Sequence, residues 1–105
     1  MRFRDAHASS AVCTPSRYSI LTGRYSWRSR LKQGVTLGYD PPLIEPGRLT
    51  VAGLLREQGY ATACFGKWHL GLGWARHGDA PEAVDFSKPI AEGPVALGFD
   101  TFFGI

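Results

Sequence analysis

The sequence has two cysteines, one methionine and no long hydrophobic run in 105 residues, and each scarcity excludes something. Cys13 and Cys64 are too few for the disulfide framework that staples small secreted domains. No apolar stretch approaches the roughly 18 residues a membrane span needs, so no bilayer crossing and no membrane partner is expected of this segment. A signal peptide is not recognisable at the start, because Arg2, Arg4 and Asp5 stand where an apolar stretch should develop. Met1 need not be the first residue of a parent protein, so the compartment stays open.

Acidic residues are outnumbered, 9 against 12 basic ones, which leaves a net charge of +3. A basic balance invites a nucleic-acid reading. Much of the charge, however, is bunched at Arg17, Arg24, Arg28, Arg30 and Lys32 within one turn-rich stretch. That arrangement suits a small anion at a focused site. No helix-turn-helix, zinc-ligand or base-stacking motif accompanies it, so no nucleic-acid partner is expected.

What remains is one small globular domain's worth of chain, 44% hydrophobic and 20% charged, with 13 glycines and 7 prolines that favour turns over long elements. Residues 1–10 read as extended, with Phe3 the one large apolar side chain. A short helix is predicted over residues 15–22: Thr14 is its expected N-cap, Pro15 occupies the first turn, and Gly23 ends it. Cys13 then lies just ahead of the helix. Residues 24–48 are turn-rich. A second helix is expected after Thr50, with Val51, Leu54 and Leu55 as its apolar stripe and Gly59 as its stop. Residues 60–65 should form a buried strand, and residues 99–105 another, with a long surface connection between. Helix followed by strand indicates an α/β layer, and the loop that starts at Gly66 leaves the end of that strand, where α/β sheets place ligands.

A lone cysteine is ordinarily a small core residue, and Cys64, between Ala63 and Phe65, fits that reading. Cys13 differs in its surroundings. A helix N-terminus offers free N–H groups and positive potential, and Arg17, one turn on, adds a guanidinium, so the segment describes an anion site with a cysteine at its mouth. Tyrosine-phosphatase loops need an arginine further along, where this chain has Ser19.

Cys13-Thr14-Pro15-Ser16-Arg17, followed by Leu21-Thr22-Gly23-Arg24, resembles the formylglycine-dependent (type I) sulfatase signature, Cys-x-Pro-Ser-Arg with a trailing Thr-Gly. The second signature of that family is similar to Gly66-Lys67-Trp68-His69-Leu70-Gly71, preceded by Gly59-Tyr60. The likeness continues through residues 43–55 and 98–105 and is greatest to bacterial arylsulfatase-like members. It implies a partial α/β fold like that of alkaline phosphatase, a mixed sheet with flanking helices, of which residues 1–105 are an N-terminal fragment.

The resemblance also implies a chemistry. Cys13 would be converted by a formylglycine-generating or sulfatase-maturing enzyme, which reads Thr14 to Arg17, into Cα-formylglycine (3-oxoalanine). A hydrated aldehyde has two hydroxyls: one attacks sulfur to give a covalent sulfo-enzyme, and the other loses its proton and expels sulfate as the aldehyde re-forms. Arg17 would stabilise the hydrate, Lys67 the sulfate oxygens, and His69 would hydrogen-bond one hydroxyl and steer its proton. On an extended segment Lys67 and His69 point the same way. Without the signature, Lys67 reads as a surface lysine and His69 as a core histidine.

The substrate class so implied is a small-molecule sulfate ester, and a periplasmic or secreted parent suits it. A phosphomonoester or phosphonate hydrolase of the same superfamily, or a non-catalytic anion-binding fragment, stays open. The family's calcium site takes hard oxygen ligands. Here no Asp-Asp pair precedes Cys13, Asp5 is the one upstream acid, and Cys13 alone carries over as a metal ligand. The 105-residue chain is therefore expected to be inactive by itself. His7 could approach Cys13, though packing or hydrogen bonding is its more ordinary role. Trp27 and Trp68 could line a pocket, with core packing the commoner use.

Overall fold

The computed structural model describes residues 1–105. Its first helix, α1, spans Cys13–Thr22, and Gly23 closes it at φ 66, its N–H bonded to the Ser19 carbonyl at 2.9 Å. Pro15 sits in the first turn, where its missing N–H costs nothing. Two details depart from expectation. The cap is Val12, with no side-chain cap bond, so Cys13 lies inside the first turn and not ahead of it. Thr14 does not cap, because its hydroxyl is engaged by a carbonyl from another part of the chain. Ser16 and Ser10 fasten the start instead: the Ser16 hydroxyl donates to the Ser10 carbonyl at 2.6 Å, and Val12 N–H donates to Ser10 Oγ at 3.1 Å.

Helix α2, Val51–Glu57, is capped as its sequence predicts, with Thr50 Oγ1 accepting from Gly53 N–H at 3.0 Å. Its apolar stripe is not the buried face. Val51, Leu54 and Leu55 are exposed, and Ala52 is buried. The Thr50 hydroxyl donates to the Leu97 carbonyl at 2.5 Å, which draws the small residues Ala52 and Gly53 against the 3-10 turn Val95–Leu97. The approach is close enough that a Cβ on Gly98 (φ 108) would stand 2.3 Å from Gly53 N, so only glycine fits there.

Strands β1 (Ala63–Gly66) and β2 (Thr101–Gly104) pair in parallel, Cys64 opposite Phe102 and Gly66 opposite Gly104. Both are shorter than predicted. Thr62 and Asp100 leave the ladder to make a side-chain clamp: Thr62 N–H donates to Asp100 Oδ2 at 2.8 Å, and Asp100 N–H donates to the Thr62 carbonyl at 2.9 Å. The pair is not the buried strand expected for residues 60–65, since Phe65 and Phe103 project into solvent and Cys64 and Phe102 are half-buried. In the long connection, the regular structure consists of the 3-10 turn and an isolated bridge between Arg76 and Val84.

The core is Tyr18, Leu43, Ile44, Trp68 and Leu70, flanked by Leu21, Cys64, Leu72, Phe99 and Phe102. Trp68 stands edge-on to Phe99 and Phe102, with centroids 6.5 and 6.4 Å away, and its indole N–H donates to the Gly71 carbonyl at 2.9 Å. Burying a large apolar side chain contributes roughly 1.5–3 kcal/mol, and here it pins the loop that follows β1. Trp27 is outside the core, stacked on Tyr25 at 4.1 Å with both rings exposed. Burial pushes the Cys64 thiol up, against the pull of the Arg17 guanidinium, in keeping with a small packing residue.

The Thr62 clamp has a pH signature. Its backbone N–H, then its hydroxyl, hold the Asp100 carboxyl below its ordinary value, outweighing desolvation. A lowered folded value means the stabilisation is present at neutral pH and is lost as pH falls through it. The unfolding midpoint is expected to drop below about pH 4, and Asp100→Asn to flatten that part of the acid dependence. Circular dichroism melts across the acid range check this; equal acid sensitivity in the variant would contradict it.

Candidate active site

The loop after β1 crosses the N-terminal end of α1, and three constraints fix it. Trp68 N–H bonds to the Ile105 carbonyl at 2.5 Å, which continues the parallel pairing. Leu43 N–H donates to the Leu70 carbonyl at 2.8 Å. Gly71 (φ 75) lies so close to the Pro41-Pro42 segment that a Cβ on it would fall 2.2 Å from the Pro41 carbonyl oxygen.

Between these points His69 adopts φ 55, the one non-glycine residue with positive φ. Its carbonyl accepts the hydroxyls of Thr14 at 2.9 Å and Thr36 at 2.8 Å, and its Nδ1 lies 3.1 Å from Cys13 Sγ. Residues 56 positions apart thus meet at hydrogen-bonding distance. Arg17, on the same helix as Cys13, donates through Nη1 to the Lys67 carbonyl. All four residues singled out in the sequence, Cys13, Arg17, Lys67 and His69, therefore lie along one seam between α1 and the loop.

Lys67 and His69 line a cavity of about 360 Å³ with Leu37, Gly38, Trp68 and Leu72. A smaller space of about 140 Å³ lies between Arg17, Lys67, Cys64 and Trp68. The two residues share a cavity, but not because an extended backbone aligns i and i+2, since His69 is left-handed. His7 is not part of the seam: exposed, it bonds Asp5. Trp68 does both jobs foreseen for it, lining the cavity from within the core.

No three His, Cys, Asp or Glu side chains gather as a metal-binding group. Asp5, paired with His7, stands alone, so the residues present do not make up a calcium site. Sequence reasoning missed the two threonines beneath His69. Thr14 was visible as a cap candidate and as part of the segment maturation would read, and Thr36, in a turn-rich stretch, carried no signal.

A cysteine in the first turn of a helix thus faces an imidazole, with an arginine one turn on and a lysine on the facing loop. The family model named Sulfatase matches residues 1–105, and the chain belongs to the sulfatase family. It is 40% identical over 105 residues to the N-acetylgalactosamine-6-O-sulfatase of Bacteroides thetaiotaomicron, covering 100% of this chain and 19% of that protein. It is 38% identical over 108 residues to mouse arylsulfatase G, covering all of this chain and 17% of the relative. Human steryl-sulfatase is 38% identical over 103 residues, with 93% of this chain and 16% of that protein covered. A solved structure from work on glycosaminoglycan metabolism in Bacteroides thetaiotaomicron superposes with a TM-score of 0.78 at 41% identity, over 93% of this chain and 19% of that one. The chain thus spans less than a fifth of the length of these relatives.

Proposed function

We propose that residues 1–105 form the N-terminal part of a sulfatase catalytic domain, and that they carry the nucleophile and part of the anion-binding set of a sulfuric ester hydrolase of arylsulfatase type. The observation that supports this best is the meeting of the two signature segments at Cys13 Sγ and His69 Nδ1, 3.1 Å apart. In the proposed active form, position 13 is formylglycine, made from Cys13 by a maturation enzyme; Sγ then marks where the attacking hydroxyl oxygen stands.

The aldehyde would supply a hydrated carbonyl, one hydroxyl to displace the ester's alcohol from sulfur and the other to lose its proton and expel sulfate as the aldehyde re-forms. The chain's own side chains do the rest. His69 Nδ1 is within reach of the group at position 13 and can accept or return its proton. Lys67, exposed at the cavity, offers an ammonium to the sulfate oxygens as charge shifts toward the leaving group. Arg17, one turn from Cys13, holds the loop through the Lys67 carbonyl and keeps positive potential beside position 13. Calcium suits the family chemistry, but this chain contributes at most position 13 to its coordination, and no step here is routed through it. The 105-residue chain alone is expected to show no appreciable turnover.

The test has two parts. Co-expression of the full-length protein with a formylglycine-generating enzyme, followed by mass spectrometry of the peptide containing Cys13, should find the aldehyde; free thiol alone would contradict the assignment. The matured protein should then have a higher kcat/KM for an aryl sulfate than for the matching phosphate monoester. The reverse order would make it a phosphatase of the same superfamily, and turnover of neither would reduce it to an anion-binding module.

A further inference from the structure

We infer that Thr36, acting with Thr14, is a positioning residue for His69: two buried hydroxyls hold the residue 69 carbonyl in a left-handed turn and so set the imidazole against Cys13. A non-glycine residue is uncommon in that region, histidine less so than most, and it stays there where its surroundings hold it. At His69 the hold is visible. Each threonine hydroxyl has a single proton, a carbonyl oxygen has two lone pairs, and both hydroxyls lie within 2.9 Å of the one oxygen. Thr14 Oγ1 in turn accepts from Thr36 N–H at 3.3 Å, which orders the pair.

Thr14 is 0% and Thr36 1% exposed, so water does not compete for these bonds. Removing either hydroxyl would leave the carbonyl with one donor in place of two and so free it to turn about the remaining bond. The neighbours of His69 are held differently, Trp68 and Leu70 by apolar burial together with backbone bonds to Ile105 and Leu43. The hydroxyls thus act on the one loop residue whose ring faces position 13. Thr14 follows Cys13 in the same helical turn, so its hydroxyl ties helix to loop backbone directly behind the ring-to-sulfur contact. An unlocked residue 69 would relax toward negative φ and carry its ring off the seam.

Thr36 is the residue to change, because Thr14 lies within the segment that maturation is expected to read. Thr36→Val keeps the shape and removes the hydroxyl, while Thr36→Ser keeps the hydroxyl. In the full-length matured enzyme, with formylglycine content equalised by mass spectrometry, Thr36→Val should lower kcat by about tenfold or more, with KM within about twofold. Thr36→Ser should stay within about twofold of wild type in kcat. If the valine variant does not fold, Thr36→Ala takes its place with the same expectation.

This kinetic arm rests on the sulfatase reading; a crystal structure of the Thr36→Val protein with unconverted Cys13 does not. There the contact between His69 Nδ1 and Cys13 Sγ should be lost. Wild-type kcat in the valine variant, equal impairment of serine and valine variants, or a crystal structure that keeps φ at residue 69 and the 3.1 Å contact would each overturn the lock. If the enzyme hydrolyses no sulfate ester, the functional reading fails while the crystallographic comparison still decides for or against the lock.

Discussion

Replacing Cys13 with alanine in the full-length matured enzyme is expected to lower kcat/KM for an aryl sulfate by at least about 10⁴-fold. Under the proposed mechanism the substitution removes the group from which the nucleophile would be made. Its structural cost is small. Cys13 is half-buried outside the core cluster, its one side-chain hydrogen bond is to His69, and alanine is the best helix former. Far-ultraviolet circular dichroism and the unfolding midpoint should therefore stay close to wild type. Turnover retained in Cys13→Ala would remove position 13 from the chemistry and with it the proposed mechanism.

The second large effect is expected at Lys67. Lys67→Met keeps the length of the side chain and removes its charge, and should lower kcat by about 10²- to 10³-fold, the range observed when one preorganised electrostatic partner of a transition state is deleted. Backbone contacts remain, because Arg17 bonds the carbonyl of residue 67 and not its ammonium. Lys67→Arg should recover part of the loss, since charge returns in a different shape. A change in KM with kcat unaltered would instead assign Lys67 to substrate binding alone. Activity within about threefold of wild type would return it to the solvated surface.

Much of this site was legible in sequence because its residues lie in two compact segments, each with its own local grammar. Pro15 and Gly23 bracket α1 and Thr50 caps α2, so the helices could be read locally, whereas Cys13, Arg17, Lys67 and His69 were named through the resemblance of residues 13–24 and 66–71 to two family signatures. Local rules failed where a distant partner won. Thr14 has the composition of a cap, but the His69 carbonyl takes its hydroxyl. The Leu54 and Leu55 stripe has helical spacing, but the close contact through Gly53 and Gly98 turns Ala52 inward instead. The strand starts were overestimated because Thr62 N–H turns to the Asp100 carboxylate, while its carbonyl alone keeps backbone partners. Thr36 could not be found at all, since a threonine in a turn-rich stretch declares no partner 33 residues away.

The parallel pairing of β1 with β2 also dictates an order of events. Thr62 and Asp100, which open the two strands, are 38 residues apart, and a parallel pair cannot be closed by a hairpin, so this loop entropy is spent before any ladder bond forms. Helix α1 depends on contacts within a single turn of itself and can form early. The loop bearing Lys67 and His69 gains its last backbone tie when residues 101–105 arrive, because Trp68 N–H donates to the Ile105 carbonyl. Synthesis delivers Cys13 first and its imidazole partner 56 residues later, so their contact waits on a loop that distant segments must place.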